Sequence, residues 1–205
     1  MTGFSKQLTD LLAKNGTIKI EDKELYAFGI QQGIVIVINI LTVILIGFVF
    51  SMVWQSILFM ALYFPLRSFA GGYHAKTHLR CYLISIILTF SVFAAIKYMP
   101  WAESVSIVTA ITAGIIITVL APVEDSNKPL DKIEISIYKR RTRAILSVEI
   151  FMMFIALILG WRQVVYCIAV SLAVLGVMLI LGKIKNAAFS KMNKVRSIKT
   201  DQNSQ

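Results

Sequence analysis

The segment RSFAGGYHAKTHLRC, residues 67–81, gathers Arg67, Gly71, Gly72, His74, Lys76, His78, Arg80 and Cys81 between two strongly apolar stretches. A free thiol, with an ordinary pKa of roughly 8.5, becomes a competent nucleophile when an imidazole or a basic group favours the thiolate. Cys81 follows His74 by seven residues. That spacing places both on one face of a helix, and a re-entrant turn would also bring them together. Gly71 and Gly72 argue against one helix across the whole stretch. Paired glycines permit tight turns, close approach of a peptide backbone, and exposed N–H groups able to stabilise an oxyanion.

Two other readings compete at this stage. His74, His78 and Cys81 fall at i, i+4 and i+7, a three-ligand face for zinc. These are the only two histidines in the chain, so no fourth ligand is evident, and Lys76 and Arg80 disfavour a dication. No metal or other cofactor is expected. The blander reading makes Cys81 a small apolar residue at a helix end and His74 a snorkelling neighbour. The setting favours chemistry, because ionisable groups held at a membrane are functional by default and a thiol facing the reducing cytosol stays reduced.

The elements that must position these residues are apolar. The chain has 205 residues, 57% of them hydrophobic, and a mean hydropathy of +0.74. A soluble domain of this length lacks the interior to bury so much apolar side chain, so the composition predicts an integral membrane protein. No Asp, Glu, Lys or Arg occurs from Leu25 to Pro65, enough for two crossings at about 20 residues each. Backbone polar groups have no water to bond in lipid, so the spans must be helical. The expected fold class is all-α, a polytopic membrane protein with six spans near 26–47, 51–66, 82–99, 104–122, 144–160 and 163–182.

Six spans put every basic segment on one face. The N-terminal stretch, the 67–81 segment, the 123–143 connection and the tail after Leu181 all carry clustered Lys and Arg, whereas only Lys97 and Arg162 fall opposite. By the positive-inside rule that face, with both termini, is cytoplasmic. The net charge of +10 therefore does not point to nucleic acid, since the charge lies between spans. Anionic lipid head groups or an acidic peptide remain suitable partners. The two cysteines, Cys81 and Cys167, suggest no disulfide framework.

Residues 1–205 read as one domain: a cytoplasmic segment 1–24, a bundle 25–182 and a basic tail 183–205. Phe4, Leu8, Leu11 and Leu12 form an apolar stripe at helical spacing, either on the inner membrane surface or packed against the bundle ends. The N-terminus is too polar for a cleavable signal peptide. The tail has little to bury and is expected to be mobile. A small transporter is the rival from another class. It would need ionisable groups along a path through the bundle, where Glu149 is the main one.

Arg67, then Gly71-Gly72-Tyr73-His74-Ala75, then Cys81 resembles the pattern of the accessory gene regulator B (AgrB) family, and APVEDSNKPL at 121–130 before a basic stretch fits as well. The resemblance covers nearly the whole chain. It implies a membrane cysteine endopeptidase that processes a quorum-sensing precursor, with Cys81 as nucleophile and His74 as general base. Arg67 and Gly72 match positions important in the family. The implied substrate is a short propeptide with an acidic C-terminal tail, for which Arg67, Lys76, Arg80 and Lys128 are candidate contacts, and a homodimer is implied. Glu124 and Asp125 are candidates to orient His74, although nothing in the sequence places them beside it.

Overall fold

The structure, a computed structural model, describes residues 3–73, 78–99, 102–124 and 131–202. Its helices are α1 (Gly3–Lys14), α2 (Lys23–Val49), α3 (Val53–Ala70), α4 (His78–Tyr98), α5 (Glu103–Leu120), α6 (Lys132–Ile158) and α7 (Arg162–Gln202), with a 3-10 turn at Ile20–Asp22. No strand is present among the described residues, in keeping with the all-α class.

Among the described residues, four helices are long and apolar enough to cross a membrane: α2, α4 from Leu79, α5, and α7 as far as Phe189. The shorter α3 carries Gln55, Ser56 and Arg67, and the first turns of α6 hold Lys132, Lys139, Arg140, Arg141 and Arg143. Both pack alongside α7. Contacts fix the directions. Gln55 at the start of α3 bonds Gln163 at the start of α7, while Tyr73 beyond the end of α3 bonds Met178. Start meets start, and the end of α3 meets a later turn of α7, so α3 runs parallel to α7. By the same logic α5 runs parallel to α7, since Glu103 pairs with Arg162 and Gly176 lies against Ala113.

The central element is α7. Val165, Cys167, Ile168, Ala169, Leu172, Leu175 and Leu179 are at most 1% exposed. Gly176 lets the Ala113 face of α5 approach closely, with a Cβ at 176 meeting Ala113 at 3.9 Å, the small-residue packing that joins helices in lipid. At the periphery, α2 has only 6% of its apolar window buried against 61% for α7, so most of its surface is left for hydrocarbon. Glu149, on α6, is 3% exposed, and neither carboxylate oxygen has a hydrogen-bond partner among the described residues.

Three boundaries depart from expectation. The second apolar run does not stop at Pro65: α3 continues to Ala70. Proline removes one ladder donor, a loss that a helix can absorb when packing holds it in place. The helix of the fifth run starts at Lys132, well before residue 144. Its start is set by Asp131 and Glu134 as a capping box, the Glu134 carboxylate accepting the Asp131 N–H at 3.1 Å. The backbone after Leu181 stays helical to Gln202, because Lys, Asn, Ala, Met and Arg follow Gly182 with no proline to end the helix. At the N-terminus, α1 packs on α2, and Asp10 forms an ion pair with Lys23.

Candidate active site

The polar segment leaves α3 at Gly71, whose φ of +71° is a left-handed conformation that an L side chain adopts only under strain. A Cβ at Gly71 would also run into the Val123 carbonyl oxygen. Glycine is needed twice over there. Gly72, with φ +123°, fits between Arg67 and α7, where a Cβ would lie 2.6 Å from the Arg67 Nη1 and 3.1 Å from the Met178 oxygen. The expected turn role of the two glycines is thus met by geometry.

Backbone bonds knit three distant segments together. Val123 N donates to the Ala70 carbonyl at 2.9 Å, and Gly72 N to the Val123 carbonyl at 3.3 Å, forming an isolated parallel bridge between Gly71 and Val123. Tyr73 N then donates to the Met178 carbonyl of α7 at 2.9 Å. A helix carbonyl is reachable from outside where the side chain one turn on is missing. Gly182, four residues after Met178, supplies that gap: a Cβ there would meet Gly72 C at 2.7 Å and Tyr73 N at 2.9 Å.

Arg67 braces this crossing. Its guanidinium donates to the Gly71 carbonyl and, through Nη2, to the Tyr73 carbonyl at 2.6 Å. Charge-assisted bonds of this kind are stronger than neutral ones, and a planar fork can hold two acceptors at once. Arg67 was expected to contact substrate or an oxyanion; here two of its donors are spent on the loop that leads into His74. Tyr63, one turn earlier on α3, also meets the Arg67 guanidinium, and its ring stacks on Phe59 at 5.3 Å between centroids.

Cys81 lies in the first turn of α4, half-buried, as a free thiol. The N-terminal turn of a helix presents unpaired N–H groups and partial positive charge, a suitable setting for an anionic sulfur. Tyr63 is close enough to Cys81 for the two to interact electrostatically, so the Arg67 cluster and the thiol share one end of the bundle. Cys167, also a free thiol, is fully buried in the second turn of α7, where it serves packing. His74, Lys76, Asp125 and Lys128 lie outside the described residues, and with them the His74–Cys81 pair and the zinc alternative of His74, His78 and Cys81. Glu124 is described, and its carbonyl accepts from Asn186 Nδ2 at 2.7 Å, tying the 121–124 stretch to α7 beside the loop.

Sequence reading missed Tyr63, Val123, Met178, Gly182 and Asn186. Spacing held a clue for one of them, since Tyr63 and Arg67 stand at i and i+4 on a helix, where side chains meet. The lone glycine at the end of the last apolar run was a clue for Gly182. Nothing local marks Val123 or Met178, whose roles are played by backbone atoms.

Fold and site together define an all-helical membrane protein with a thiol and a guanidinium-braced glycine loop at one end of its bundle. The family model described as accessory gene regulator B matches residues 5–181. The chain belongs to that family, which is involved in processing quorum-sensing peptides. AgrB-like protein 2 of Clostridium perfringens (strain 13 / Type A) is 25% identical over 170 residues, covering 77% of this chain and 79% of that protein. An AgrB-like protein of Clostridium perfringens (strain SM101 / Type A) is 25% identical over 173 residues, covering 78% of this chain and 81% of its own. No solved structure matches the chain.

Proposed function

We propose that this protein is a membrane cysteine endopeptidase that removes the acidic C-terminal tail of a quorum-sensing propeptide and closes the remaining signal segment into a ring. The observation that carries the reading is the placement of Cys81 in the first turn of α4, at the end of the bundle where Arg67 braces the Gly71–Tyr73 loop leading into His74. Family membership supports the substrate class.

The chemistry runs in two acyl transfers. His74 takes the Cys81 proton, and the thiolate attacks the carbonyl at the end of the signal segment. Collapse of the tetrahedral adduct breaks the C–N bond, and His74 returns the proton to the departing amine of the tail. The acyl group is now a thioester on Cys81. An internal thiol of the precursor (or a hydroxyl) attacks that thioester, closing a thiolactone (or lactone) and regenerating the Cys81 thiol. Thiol capture exchanges one thioester for another, so it needs little driving force, and a site that excludes water favours the ring over the hydrolysed acid. The N–H groups of Gly71, Gly72 and Tyr73 already donate to main-chain carbonyls, which leaves the basic side chains Arg67 and Lys128 for the oxyanion and the acidic tail.

Six spans, with both termini and the site on the cytoplasmic side of the cell membrane, complete the reading. A precursor made in the cytosol would then reach Cys81 along the inner surface. A homodimer belongs to the same reading. Co-expression with the cognate precursor carrying a tag on its tail tests it. Tail release is expected in the wild type and in Cys167→Ala and His78→Ala, and is lost in Cys81→Ala and His74→Ala. Undiminished release by Cys81→Ala sinks the proposal, and loss in His78→Ala together with bound zinc turns it into a metalloprotease.

A further inference from the structure

Arg67 has its guanidinium divided between the carbonyls of Gly71 and Tyr73, yet a long side chain held only at its tip could still pivot. Tyr63 removes that freedom. Its position one turn back on α3 brings the phenol into interaction range of the guanidinium, an oxygen acceptor facing a group that can only donate. The ring itself cannot swing, because it lies nearly parallel to Phe59, at 10° between planes, and Phe59 is in turn packed edge-on to Phe93 of α4 at 6.1 Å. Phe59, Tyr63, Arg67 and the Gly71 carbonyl thus follow one another at steps of four along one face of α3.

We propose that the Tyr63 hydroxyl is a positioning group of the active site: it steadies the Arg67 guanidinium on the Gly71 and Tyr73 carbonyls and so fixes the Gly71–Tyr73 loop at the end of the bundle that carries Cys81. This rests on the catalytic reading above for its effect on turnover, but not for its effect on the thiol. A phenol oxygen that accepts from a guanidinium leaves its own hydrogen free to donate, and hydrogen bonds in series strengthen one another. The cluster therefore presents fixed positive charge and a polarised donor on the side of the bundle where Cys81 sits. Tyr63 acts through Arg67, so the two side chains should behave as one unit under mutation.

Tyr63→Phe removes the hydroxyl and keeps the ring stack, so the fold is retained. Two measurements on the full-length protein in detergent, normalised to material in the monodisperse peak, decide the matter. In tail release from tagged precursor, Tyr63→Phe is expected to lower kcat about tenfold while KM stays within a factor of about two, the scale of one lost bond to a charged group. In iodoacetamide labelling read at the Cys81 peptide without precursor, Tyr63→Phe and Arg67→Lys should each slow alkylation, and the double variant should be no slower than Arg67→Lys alone. Wild-type protein that labels normally but releases no tail would remove the endopeptidase reading and leave the labelling cycle to test Tyr63. Additive slowing, or no slowing, overturns the proposal. So does a wild-type rate in Tyr63→Phe beside a loss in Tyr63→Leu, which assigns the role to the ring.

Discussion

The two ends of the bundle are held together in opposite ways. At the end bearing Trp161, side chains meet side chains: Gln55 bonds Gln163 at 2.7 Å, and Arg162 pairs with Glu103 at 2.7 Å on the surface. Lys97 there covers the Phe50 carbonyl at 2.8 Å and lies over the Phe50 and Tyr98 rings. At the Gly71 end, backbone meets backbone across α3, the 121–124 stretch and α7, with one guanidinium and three glycines making the crossing possible. Side-chain ties can be exchanged for others of similar shape. A backbone crossing cannot, because any added atom stands where a main chain already runs. The difference separates an end that needs only to stay closed from one that must hold a loop at a fixed place.

Substitutions at each end should show that contrast. The largest effect is expected from Gly71→Ala, which forces a non-glycine residue into positive φ at a cost of roughly 1–2 kcal/mol and drives its Cβ into the Val123 carbonyl. Tail release should fall by at least about a hundredfold while circular dichroism still reports the helices, since the barrier rises steeply with misplacement of reacting groups. Retained activity would mean the crossing is not needed for chemistry. At the far end, Gln163→Leu strands the buried Gln55 amide and should lower stability by about 1–3 kcal/mol, read as a drop in the detergent melting midpoint. Adding Gln55→Leu should recover most of that loss, because both polar partners are then gone; no recovery would show that the pair holds more than its own bond. The smallest effect belongs to Arg162→Gln. Its ion pair with Glu103 is between side chains 69% and 47% exposed, so a change below about 1 kcal/mol and unaltered tail release are expected.

Much of this was legible in the sequence, for reasons specific to each part. The charge-free run from Leu25 to Pro65 pointed to helices, and Gly71-Gly72 could hardly sit inside a continuous helix. Arg67 and Cys81 stood out because charge and thiol are rare beside such runs. The partners of the loop were hidden. Val123 and Met178 contribute a carbonyl or an N–H that every residue type possesses, so their identities carry no mark of the role. The ends of α3 and α6 were misplaced because hydropathy reports what lipid tolerates, whereas Asp131 and Glu134 start a helix outside that range. Tyr63 carries no mark in the sequence beyond standing four residues before Arg67.

Gly182 has a consequence for how the protein can move. Tyr73 hangs from the Met178 carbonyl at the one turn of α7 where the gap at Gly182 admits it. The helix therefore works as a notched rail, and the loop is keyed into its notch. Sliding α7 along its axis by a single residue, about 1.5 Å, would present a side chain where the notch had been. The depth at which α7 rides in the bilayer and the place where the loop delivers its polar groups are a single degree of freedom.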